Sequence, residues 1–176
     1  MARANTAAPP PARLNIREFL HEVQERTERD LDPALGSPTS KRVFTSLQIH
    51  FGEPRLHYEV WPVRKTGRIE VGLHIEGPHD WSREVAAQIA CHADDLRAAL
   101  GPEWELEDWT ASWSRLHTTL PLETLTEPVA DDVAAATCRL IHGTEPVLRR
   151  LTLPALGQTT PRDGQARRRW RRRRKG

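Results

Sequence analysis

The chain has 176 residues, 38% hydrophobic and 28% charged, with two cysteines and a formal net charge of +2. That length bounds it to about one ordinary domain with extensions. No apolar run nears the ~20 residues of a membrane span and no secretory core precedes residue 14, so a soluble, cytoplasmic protein is the expectation.

Residues 1–13 include three consecutive prolines and few apolar side chains, and are expected to be disordered. Asn15 followed by Glu18 is a capping box, with Leu14 and Phe19 placed as a hydrophobic staple, so a helix should begin here. Ile16, Phe19, Leu20, Val23 and Leu31 continue it, and Asp32-Pro33 ends it. Residues 32–41 read as a loop. From Arg42 the period becomes two: Val43, Thr45, Leu47, Ile49 and Phe51 alternate with polar neighbours, as in a half-buried strand. A turn at residues 52–55 leads to a second strand with Leu56, Tyr58 and Val60 on one face. A third strand carries Ile69, Val71, Leu73 and Ile75. Such short links require an antiparallel meander.

Gly77-Pro78 closes the meander, and Asp80 or Ser82 can cap a helix bearing Val85, Ile89, Ala93, Leu96 and Leu100, stopped by Gly101-Pro102. Residues 104–110 and 111–120 read as two less regular strands rich in tryptophan. Thr126, with Glu127 and Pro128, starts a last helix through Val129, Val133, Leu140 and Ile141, which Gly143 and Pro146 should divide. Cys91 and Cys138 form no metal or redox spacing and read as small buried hydrophobes.

The expected fold class is α+β: a five-stranded, mainly antiparallel sheet in the order α-β-β-β-α-β-β-α with helices on one face. Residues 14–156 form the single domain and 157–176 a disordered basic tail. Residues 162–176 hold nine Lys or Arg against one Asp, a net of +8, which leaves residues 1–161 at −6. A block of like charge stays solvated or meets an anion.

This element order, on an acidic body, resembles the type III secretion chaperone family and its chaperone-like relatives. The likeness spans residues 15–151 and lies in element order and body charge, with no sequence motif. It implies a protein that pairs through a sheet and a helix and holds a partner chain.

Four groups of residues can carry function. If the turns set Phe51 opposite Leu56 and Val63 opposite Arg68, then His50, His57 and His74 line up on the polar sheet face, with Glu59 and Glu76 nearby. Three imidazoles with an open position suit zinc, and a metal-dependent hydrolase is one reading; polar residues of a solvent face or an interface are the other. Glu76, His79 and Asp80 form a second cluster, read mainly as the start of a helix. Phe44, Trp61 and Val63 would make an exposed apolar patch and thus an interface to a protein partner or to a second copy of the chain. Trp104, Trp109 and Trp113 read as core.

Fourth comes the tail: Arg167, Arg168, Arg169, Trp170, Arg171, Arg172, Arg173, Arg174 and Lys175. Guanidinium groups grip phosphates and stack on bases, and Trp170 adds a stacking platform, so RNA or DNA is a natural partner. A tail folded back on the acidic body, or one lying on an anionic membrane, fits the same composition. There is no phosphate loop, dinucleotide fingerprint, serine elbow or cysteine nucleophile signature. The leading expectation is a non-enzymatic, chaperone-like interaction protein without cofactor, whose tail tethers it to nucleic acid.

Overall fold

Asn15 starts the first helix as its sequence requires: its side-chain oxygen accepts from the backbone N–H groups of Arg17 and Glu18, and Glu18 accepts from the Asn15 N–H in return. Helix α1 (Ile16–Asp30) buries Phe19, Leu20 and Val23, and a 3₁₀ turn (Pro33–Leu35) follows it. This computed structural model describes residues 11–155 of the chain. The expectations for residues 1–10 and 156–176, the basic tail included, lie outside the described residues.

The segment expected as a loop and one strand is a hairpin. Strands β1 (Thr39–Val43) and β2 (Ser46–His50) pair antiparallel with Val43 opposite Ser46, so the chain reverses at Phe44-Thr45. No Gly, Asn or Pro announces the turn; Phe44 itself adopts a positive φ of 51°. Strands β3 (Leu56–Val63) and β4 (Arg68–Ile75) continue the meander. Helices α2 (His79–Ala90) and α3 (Ala93–Leu100) replace the single helix expected there, because the chain leaves helical geometry at His92, with φ −107° and ψ 21°. Asp80 does not cap α2; Pro78 is its N-cap, and the Ser82 hydroxyl instead accepts from the Gly77 N–H.

Strands β5 (Glu105–Asp108) and β6 (Ser114–Pro121) complete the sheet, and helix α4 (Glu127–Leu148) runs unbroken. Gly143 does not end that helix: a Cβ there would lie 2.5 Å from Leu100 Cδ2, so the glycine lets α3 approach. Pro146 falls within the last turn. The sheet therefore has six strands, not five, in the spatial order β1-β2-β3-β4-β6-β5, every pair antiparallel. The element order is α-β-β-β-β-α-α-β-β-α.

Strand alternation sends Leu47, Ile49, Tyr58, Val60, Ile69, Val71, Leu73, Ile75 and Leu116 to one face, where all four helices contribute to the same core. Tyr58 reaches across that core and donates to Glu145 Oε1 at 2.9 Å, with Thr144 Oγ1 at 2.7 Å. Among the described residues, no helix is long and apolar enough to cross a membrane.

Candidate functional site

Because the helices cover one face, the same alternation gathers ionisable side chains on the other. His57, Glu59, Trp61 and Val63 come from β3, Arg68, Glu70, Gly72 and His74 from β4, Arg115, His117 and Thr119 from β6, and Glu105 and Glu107 from β5. Register fixes two rows: His57, His74, Arg115 and Glu107 lie side by side, and so do Glu59, Gly72, His117 and Glu105.

His74 is fully buried and lies between two carboxylates. Its Nδ1 is 3.2 Å from Glu76 Oε1 and its Nε2 is 3.0 Å from Glu70 Oε1. Glu70 in turn accepts from Arg115 Nη1 at 2.6 Å, and Arg115 also donates to Glu107 at 2.7 and 2.9 Å. His117 Nε2 is 3.1 Å from the same Glu107 oxygen. Gly72 makes room for this chain of charges: a Cβ there would meet His117 Cβ at 3.0 Å and the His74 ring at 3.3 Å. Trp109 closes the outer side, with its ring 4.9 Å from that of His74 and the Arg115 guanidinium 5.2 Å above it.

His57 is 4% exposed, and its ring centroid lies 5.5 Å from that of His74. Its Nδ1 donates to the Pro54 carbonyl at 3.0 Å, while Nε2 is buried with no hydrogen-bond partner, 3.4 Å from Glu59 Oε2. Glu59 also accepts from the Gln48 amide at 2.8 Å.

Electrostatics follow from these contacts. Burial alone would push the His74 imidazolium down, but Glu70 and Glu76 outweigh it and raise the group to about 9. Burial would likewise raise Glu59 and Glu70; His57 with Gln48, and His74 with Arg115, hold them below the usual carboxylate range. His117 is pushed down, first by burial and then by Arg115. At neutral pH the face thus carries an imidazolium and a guanidinium interleaved with glutamates.

Of the three histidines expected in a row, the structure brings two together. Ligand atoms of His57, His74 and Glu76 lie within 4.8 Å of one another; His50 is not in this group, although its register continues towards His57. His79 and Asp80 stand apart at the start of α2, exposed and 2.8 Å from each other. Phe44 is 100% exposed at the β1–β2 turn, while Trp61 and Val63 are half-buried near the same end of the sheet. The tail residues Arg167, Arg168, Arg169, Trp170, Arg171, Arg172, Arg173, Arg174 and Lys175 lie outside the described residues.

Trp109 and Trp113 are not core as expected: both lie in the β5–β6 turn over the polar face, 6.0 Å apart. Only Trp104 packs on the core, beside a cavity of about 280 Å³ lined by Ile89, Leu96, Leu100 and Leu116 on the helix side. Cys91 is exposed, not buried, and Cys138 is buried, with its thiol raised to about 11 by burial. Sequence reasoning missed the roles of Glu70, Arg115, His117 and Glu107. Their signal was the β4–β6 pairing, a long-range register that crosses two intervening helices. Comparison with protein-family models, curated proteins and solved structures finds no match to this chain.

Proposed function

We propose that this is a non-enzymatic, chaperone-like interaction protein of the cytoplasm. Its folded body pairs with a second copy through the end of the sheet that bears Phe44, Trp61 and Val63, and its arginine-rich C-terminal segment tethers it to nucleic acid. One observation carries the reading: all the helices gather on one face of the sheet, and the other ends in a fully exposed Phe44 beside Trp61 and Val63. An aromatic residue fully in water, in a backbone conformation unfavourable to it, gains nothing within its own chain.

Sedimentation velocity of the full chain in high salt, where tail contacts are screened, tests the pairing. A dimer is expected, with Phe44→Ser and Trp61→Gln each shifting it to monomer. A parent chain that sediments as a monomer at tens of micromolar would remove the self-pairing.

A further inference from the structure

We infer that His57, His74 and Glu76 form a binding site for a zinc-class divalent ion that clips the start of β3 to the end of β4. This site is independent of the patch at Phe44, at the other end of the sheet, and of the tail. The donors are two imidazoles and one carboxylate, the set that borderline transition ions prefer to Mg²⁺ or Ca²⁺.

Three features distinguish it from an ordinary ion pair. His74 Nδ1 and Glu76 Oε1 stand 3.2 Å apart, close to the ~3.3 Å edge between two ligands about 2.0–2.1 Å from a tetrahedral ion. The opposite nitrogen of His74 already donates to Glu70, which Arg115 fixes, and a metal-bound imidazole typically carries such an outer carboxylate. Finally, ligand atoms of His57, His74 and Glu76 converge within 4.8 Å of one another, and the His57 ring is buried at 4% exposure with its Nε2 making only a long contact of 3.4 Å to Glu59 Oε2.

Binding replaces the proton on His74 Nδ1, so one ion entering releases one proton from that ring, and affinity rises with pH. Glu70 touches no ion and acts as a positioning residue. Glu76 retains a side-chain exposure of 21%, which gives the ion a route in from solvent.

The test uses the untagged full chain stripped with chelator and dialysed against Zn²⁺, with Co²⁺ as a spectroscopic probe. The expected result is one ion per chain, visible Co²⁺ bands of four- or five-coordinate intensity, and no displacement by millimolar Mg²⁺. His57→Ala and Glu76→Gln should each weaken binding at least tenfold. Glu70→Gln should weaken it while leaving one ion per chain, and His79→Ala should leave it unchanged. Glu76→Gln keeps the size of a partly exposed side chain, and its folding is checked by circular dichroism. Failure to bind Zn²⁺ stoichiometrically at 10–100 µM, or binding untouched by both His57→Ala and Glu76→Gln, would overturn the site.

Discussion

His74 illustrates how one side chain organises its surroundings. Both of its nitrogens meet carboxylates, so the protonated ring is the form that the fold selects, raised to about 9 from an ordinary 6.5. The sign of the consequence is set by linkage: a cation with a raised folded value lends stability that is complete below pH 6.5 and is lost as pH climbs through 9. Chelator-treated protein should therefore lose on the order of 2–3 kcal/mol of unfolding free energy between pH 7 and 10, measured by urea titration. His74→Gln should flatten that slope, and a parent protein equally stable at both pH values would contradict the pairing. Gly72 supports the same residue. Gly72→Val should cost about 2 kcal/mol, because the branched side chain must displace His117 and the His74 ring.

At the level of elements, the contrast between what was legible and what was not has a physical cause. The α1 start was readable because Asn15 and Glu18 interact over three residues. The β3–β4 register was readable because a four-residue link fixes it, and His57 does lie opposite His74. The β1–β2 hairpin was not, since the turn uses Phe44 and Thr45 where a glycine would ordinarily stand, and the period-two pattern runs through the reversal. Nor was the break at Cys91-His92, which carries no Gly or Pro. The partners Glu70, Arg115 and His117 depend on β4 pairing with β6 across two helices, which local pattern cannot supply. The hairpin yields its own prediction: Phe44→Gly should relieve the left-handed backbone and raise stability by up to about 1 kcal/mol, while weakening self-pairing. A loss of stability would show instead that Phe44 packs within its own chain.

For the whole molecule, the division of charge and the architecture agree. The described body, residues 11–155, contains a contiguous hydrophobic core, and its last described segment is fastened to α2, where Trp81 donates to the Pro154 carbonyl and Gln88 to the Thr152 carbonyl. The nine cations of residues 162–176 follow an acidic body, so attraction to phosphate belongs to the tail and repulsion to the domain.

The most direct measurement is the salt dependence of single-stranded RNA and DNA binding for the full chain and for a chain ending at Ala155. The account predicts micromolar or tighter binding by the full chain at 50 mM salt, with a log–log slope reaching no further than about −6 for eight net charges on a single strand. The shortened chain should show no measurable affinity. Equal affinity of the two chains, or a full chain indifferent to salt, would contradict it.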